Sequence, residues 1–489
     1  MKNISRILIT LLLLSATTQT DARNLWAFLS YATFNSPDGP YIETYLAIDA
    51  STVTFVKNEN GKFQATVNVL MTFKNGEDIK AFKKYELSSN EIADTTQVNF
   101  HFLDQQRIAI DNGIYDFEIQ LADKFKNIPA TPHTQQVTID FPDDKPSFSG
   151  IETIKSYTKS ETPSVLSKSG FDLVPFTYTF YPANENTLTF YCELYNMTKV
   201  QQADQKFILS YFLESFESNI RLGDYARVRK EQAKEVNVLL SEIDISNLAS
   251  GNYNLVVEAR DQKNNLLASK KHFFQRVNPN ATVTMNNLQA TETTNTFVEN
   301  LAAADTIREL INCTYPIATG LEKAFIRTHL KTADLKRMQQ FLLTFWLQRN
   351  PREPRKAFEE YMQQVAIAQA NFSTRIKKGY QTDRGRVFLE YGPPNTRSTQ
   401  YNEPSNYPYE IWQYYTMKNN QRNRKFVFYS PDMVTNDFEL LHSDAVGEII
   451  NPRWKVDLRN RIYTTLDIQD TQVINSWGDM QSDYWELPN

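Results

Sequence analysis

GYQTDRGRVFLEYGPPNTRSTQYNEPSNYPYEIWQYY, residues Gly379 to Tyr415, can be read almost residue by residue. Ahead of it Phe358, Tyr361, Val365, Ala368, Phe372 and Ile376 recur at steps of three and four, the spacing of one helix face. Pro354 opens that helix, Lys377 and Lys378 fall in its last turn against the negative end of the dipole, and Gly379 is expected to end it in the left-handed conformation. Thr382-Asp383-Arg384-Gly385 is turn chemistry. From Arg386 to Tyr391 the chain alternates, Val387, Leu389 and Tyr391 against Phe388 and Glu390, which predicts a strand. Gly392-Pro393-Pro394 breaks it, and an aromatic strand around Trp412 follows, so a helix plus an antiparallel hairpin is expected.

The block resembles the GWxTD domain of many bacterial envelope proteins. Gly379, Tyr380, Gln381, Thr382 and Asp383 stand at the five motif positions, followed by Arg384-Gly385-Arg386 and Tyr391-Gly392-Pro393-Pro394. Only the Trp position departs: Tyr380 keeps an aromatic platform but not the indole N–H. Thr344 to Pro354, Tyr409 to Tyr415 and His442 to Trp454 are similar to the family as well. The likeness is specific over roughly the C-terminal third and looser across the β-rich region before it. It implies an envelope protein with a binding face at Gly379, Tyr380, Thr382, Asp383, Arg384, Arg386 and Trp412. It implies no reaction, because the domain is largely one of unknown function. The layout is also similar to the small lipoprotein subunit of the outer-membrane β-barrel assembly machine, a likeness of pattern that points toward protein binding.

A chain of 489 residues is too long for one core and predicts three or four domains of about 100 to 150 residues. Lys2 and Arg6, the apolar run Ile7 to Leu14 and small residues ending at Ala22 form a secretory leader over residues 1–22. No cysteine lies there to carry a lipid anchor, and no later apolar run approaches the roughly 18 residues that span a bilayer. The net charge of −5 becomes −6 once Lys2, Arg6 and Asp21 are removed. This mild acidity argues against a general nucleic-acid binder. Cys192 alternates with Leu188, Phe190 and Leu194 and reads as a small core residue rather than half of a disulfide with Cys313.

Residues 23–150 read as a β-sandwich. Phe63, Ala65, Val67, Val69, Met71 and Phe73 share one face, the period of a half-buried strand. Gly113-Ile114-Tyr115-Asp116-Phe117 returns in grammar as Gly251-Asn252-Tyr253-Asn254-Leu255. A turn glycine before a Tyr entering a late strand is what an immunoglobulin-like sandwich uses at its tyrosine corner, so a second sandwich is expected at 169–280. The polar stretch from Asp140 onward, with 151–168 as the segment between domains, reads as a linker. Residues 281–353 are expected as a helical connector, with Leu335, Met338, Leu342 and Phe345 on one helix face, and 354–489 as the C-terminal domain. The fold class is multidomain and mainly β, with an α+β C-terminal part.

The five histidines show no ligand spacing, and there is no glycine-rich phosphate loop or nucleophile elbow, so no metal, cofactor or catalytic residue is assigned. His442, Asp444 and Glu448 are secondary candidates; polar turn and cap roles are the competing reading. The charged face around Asp383, Arg384, Arg386 and Glu390 competes with internal pairing. For Tyr407, Tyr409, Trp412, Tyr414 and Tyr415, a sugar platform competes with core packing. The expectation is a non-enzymatic periplasmic binding and scaffolding protein that meets an envelope protein partner, associated with the outer membrane or cell surface through a secretion or assembly complex. The alternative is an envelope hydrolase acting on peptidoglycan or glycan through Asp383, Glu390, Asp444 or Glu448.

Overall fold

The computed structural model describes residues 25–96, 98–126, 130, 132–162, 164–201, 205–278, 292–417, 421–459 and Trp485. The expected leader at residues 1–22 lies outside them, as does the start of the expected helical connector.

Strand Phe63–Asn75 turns Ala65, Val67, Val69, Met71 and Phe73 inward. It pairs with Asp78–Ser88 along one edge and with Gly113–Asp123 and, at its start, Phe55–Lys57 along the other, and His133–Ile139 extends the sheet. The facing sheet is antiparallel Ala27–Ser36, Gly39–Asp49 and His101–Ala109. The second sandwich repeats the scheme. Glu152–Lys159, Phe171–Pro175, Thr187–Tyr195 and Val236–Asp244 form one sheet; Lys206–Ser215, Arg221–Gln232, Gly251–Arg260 and Leu266–Arg276 form the other. Phe190, Cys192 and Leu194 meet Phe207, Leu255 and Phe274 between them. Cys192 and Cys313 are both buried free thiols.

The repeated glycine-tyrosine grammar has one structural meaning in both copies. Tyr115 Oη donates to the Asp111 carbonyl at 2.9 Å, and Tyr253 Oη to the Ala249 carbonyl at 2.9 Å, each four residues upstream as in a tyrosine corner. A Cβ on Gly113 would stand 2.9 Å from the Tyr115 hydroxyl, and one on Gly251 3.2 Å from that of Tyr253.

The two sandwiches are stacked rather than strung. Strand Gly39–Asp49 is buried on both faces: Ile42, Leu46 and Ile48 enter the first core, while Tyr45 joins Ala32 and Phe34 against Ile154, Leu173 and Tyr191 of the second sandwich. The result is four β layers with three buried seams. This corrects the linker reading of 151–168. Glu152–Lys159 and Ser167–Lys168 are strands of the third layer, and Gly150 N donates to the Thr33 carbonyl at 2.6 Å across the seam. The stretch looked like a linker because most of its polar residues are exposed, while Glu152 and Lys168 are buried as a pair in the seam.

Helices Ala304–Cys313, Gly320–Thr328, Leu335–Arg349 and Pro354–Phe372 pack on one face of a four-stranded antiparallel sheet, Thr396–Gln400, Tyr409–Thr416, Arg422–Tyr429 and Glu439–Ser443. Ile307, Phe325, Leu342 and Trp346 share a single core with Phe372, Val387 and Trp412, so residue 353 marks no break in packing. The other sheet face is covered by helix Trp454–Arg459 and the Trp485 ring. This domain sits directly on the second sandwich: a Cβ on Gly320 would lie 2.4 Å from the Ser250 carbonyl oxygen, and Lys323 Nζ is 3.5 Å from Glu217.

Two local expectations are corrected. Asp383–Tyr391 is a helix, not a turn followed by a strand. Val387, Phe388 and Tyr391 fit helical spacing, and because the helix is enclosed on nearly every side it shows no polar stripe to give its period away. Gly379 does not end the preceding helix, which stops at Phe372; it opens a short 3-10 turn. A Cβ there would lie 2.3 Å from the Ala368 carbonyl oxygen. Close approach of two backbones, not a left-handed turn, requires this glycine.

Candidate functional site

The motif residues lie together where the helix Asp383–Tyr391 crosses the C-terminal sheet. Gly379 N donates to Gln369 Oε1 at 2.7 Å. Thr382 caps the helix: its Oγ1 accepts from Gly385 N at 3.1 Å and donates to the Gly379 carbonyl at 2.9 Å, satisfying donors that a helix start leaves open. Asp383 Oδ2 accepts from Leu440 N at 2.8 Å, which ties the helix to strand Glu439–Ser443. Tyr380 is buried in the helical core.

Arg384, only 2% exposed, points at Glu410, which is fully buried. Its Nη1 donates to Glu410 Oε1 at 2.8 Å and its Nη2 to the Asn436 carbonyl at 2.9 Å, while its plane lies 4.1 Å from the Phe438 ring centre. Arg397 grips Glu410 with two bonds of 3.0 and 2.6 Å, and Tyr401 Oη and Trp412 Nε1 each donate to it at 2.9 Å. Burial works to raise Glu410, but Arg397, Arg384 and Trp412 outweigh it and hold the carboxyl below its ordinary range. A buried carboxylate so fully bonded is an anchor, not an acid or a nucleophile.

Arg386 makes a second cluster. It holds Glu448 through two bonds of 2.8 and 2.7 Å and Glu390 at 3.1 Å, and Tyr391 Oη donates to Glu448 at 2.8 Å. Burial raises Glu390 to about 7, with Arg386 opposing and Glu448 and Glu217 adding to the rise. Glu448 goes the other way: burial is outweighed by Arg386, which keeps it low. Because folding raises Glu390 above its ordinary 4.5, the stability it lends is complete below that value and is lost as pH rises through about 7. The native chain is therefore expected to lose on the order of 1 kcal/mol or more between about pH 4.5 and 7 and little above that, read as a denaturation midpoint. Glu390→Gln should flatten that slope; an unchanged slope would contradict the assignment.

The secondary candidates do not assemble. His442 Nδ1 accepts from Asn451 N at 3.0 Å and its ring stacks on Trp454 at 5.8 Å; burial lowers it to about 4. Asp444 accepts from Lys425 N at 2.6 Å, the turn role, and Glu448 belongs to Arg386. The aromatic run makes no sugar platform either: Trp412 and Tyr414 enter the helical core and Tyr409 the opposite one, leaving Tyr415 exposed. A cleft of about 360 Å³ among Ser51, Phe55, Thr95 and Val98 belongs to the first sandwich and holds none of these residues. Among the described residues no group of three or more His, Cys, Asp or Glu side chains is placed to hold a metal ion, and no helix is long and apolar enough to cross a membrane. Glu410, Arg397 and Tyr401 were not singled out from sequence, although a Glu between Tyr409 and Ile411 in an apolar strand demands a buried partner.

Residues 270–455 match the model of the GWxTD domain family. No curated protein matches the sequence. Among solved structures, a glycosyl hydrolase family 2 member from Bacteroides cellulosilyticus is similar at 12% identity and a TM-score of 0.18, over 48% of this chain and 28% of its own length. Fibronectin(III)-like modules of CbhA from Clostridium thermocellum are similar at 12% identity and a TM-score of 0.12, over 48% of this chain and 85% of theirs. This chain thus spans little more than a quarter of the hydrolase, and overlaps this slight carry no argument about activity.

Proposed function

We propose that this chain, whose residues 270–455 form a GWxTD domain, is a non-enzymatic binding and scaffolding protein of the bacterial envelope. In this reading it is exported to the periplasm and held at the outer membrane or cell surface by a protein partner, such as a secretion or outer-membrane assembly complex. The observation that carries the proposal is Glu410: the motif's charged groups are spent on one internal anchor, so the motif builds a domain instead of exposing reactive groups. The four-layer β stack below supplies a stiff base. The hydrolase alternative needs two carboxyl groups facing a substrate at about 5 to 9.5 Å. Asp383 and Asp444 instead accept backbone N–H groups, and Glu390 and Glu448 are bound to one arginine.

The test pairs two measurements. Purified protein is expected to release no product from peptidoglycan or a glycan panel. Photo-cross-linkers at exposed Tyr415, Ile449 and Phe82 are expected to capture one recurring envelope protein in producing cells. Release of product that disappears in Glu390→Gln and Glu448→Gln would overturn the reading in favour of hydrolysis.

A further inference from the structure

The seam between the two sandwiches encloses ionisable groups that the scaffold does not need for packing. Lys168 reaches in from the short strand Ser167–Lys168, and its Nζ bonds both Glu43 Oε2 and Glu152 Oε2. All three residues are at least nine-tenths buried. The ammonium lies 4.2 Å from the Phe34 ring centre and 5.7 Å from those of Tyr45 and Tyr191. The two carboxylates are not equivalent. Glu43 is held by Arg107 Nε at 3.0 Å, by Gln105 Nε2 and by Tyr45 Oη at 3.3 Å. Glu152 meets Lys168 and shares the Tyr45 hydroxyl, while its Oε1 is buried with no hydrogen-bond partner.

We propose that Lys168 and Glu152 condense into an intramolecular amide, with Glu43 relaying the proton. Glu43 takes a proton from the Lys168 ammonium and passes it to the Glu152 carboxylate, and the freed lone pair on nitrogen attacks the carboxyl carbon of the resulting acid. The C–O bond to one oxygen then breaks, and the protons released from nitrogen leave on that oxygen as water. One ammonium and one carboxylate become one amide and one water, and no oxidant or other reactant is consumed. Each feature of the site favours the step. Burial holds Glu152 above its ordinary range although Lys168 pulls it down, which favours the acid form that can be attacked. Fixed contact replaces a chance encounter, and the rings keep out the water that would reverse the reaction. The product removes two buried charges that are costly to keep apart from water, leaving Glu43 on Arg107, whose half-exposed side chain marks the way out for the water. The bond would pin Ser167–Lys168 to strand Glu152–Lys159 across Phe171–Pro175 within the third layer, fixing the face that this layer turns to the seam.

Peptide mass spectrometry of the full chain tests this. Lys168 is expected to resist trypsin, and the peptides carrying Lys168 and Glu152 to appear joined, lighter than their sum by one water. Lys168→Arg keeps a cation that cannot condense, and Glu43→Gln removes the relay; both should run at full sequence mass. A native chain with a free Lys168 peptide, or one joined to Glu43 instead, would overturn the proposal. Should Lys168→Arg fail to fold, the native mass alone decides.

Discussion

Replacing Glu410 with alanine is expected to cost about 3–5 kcal/mol and to open the C-terminal domain while the β stack stays folded. Glu410 receives hydrogen bonds from Arg384, Arg397, Tyr401 and Trp412. Its removal leaves the Arg384 guanidinium almost wholly buried with no counter-charge. The penalty comes from that orphaned charge more than from the lost bonds. Glu410→Gln should fall between, since an amide can accept from some of the donors but carries no charge. Hydrogen exchange read separately on the Tyr409–Thr416 and Gly251–Arg260 amides distinguishes a local opening from a global one. Equal protection in native and Glu410→Ala chains would refute the anchor.

Gly385→Ala should cost about 3 kcal/mol or more, in the sense opposite to helix propensity. In an exposed helix the change would add stability of up to about 1 kcal/mol. Here the new Cβ would sit 1.8 Å from the Gly379 carbonyl oxygen and 3.1 Å from Thr382 Oγ1. The motif turn and the helix start would have to separate, undoing the Thr382 cap as well. A thermal melt of the variant at or above the native midpoint would contradict this packing.

These two positions show what a sequence reveals and what it hides. The half-buried strand Phe63–Asn75, the helix from Pro354 and the two tyrosine corners were legible, because each carries a local period or a turn residue with one use. The motif helix was not. Enclosed between the helical core and the sheet, it lacks the polar face that would separate a helical period from alternation, and its start is fixed by Thr382 rather than by an apolar stripe. The seam between the sandwiches was hidden for the opposite reason. Glu43, Glu152 and Lys168 look solvated in sequence, and they are buried because they meet one another from strands 16 to 125 positions apart. Within the candidate site Arg384 and Trp412 were named for binding, and Arg384 proves to be interior. What sequence could not supply was Glu410 as their common partner, 26 residues from Arg384.

The central claim is that the motif's charges hold the domain together. A double-mutant cycle on Arg384 and Glu410, read by hydrogen exchange of the Tyr409–Thr416 amides in the full chain, tests it most directly. Each alanine variant should lose about 3 kcal/mol of protection, and the double variant little more than either, a coupling of about 2 kcal/mol or more. Native-like protection in Arg384→Ala, with a coupling inside about 0.5 kcal/mol, would contradict the account and return Arg384 to the surface as a recognition residue.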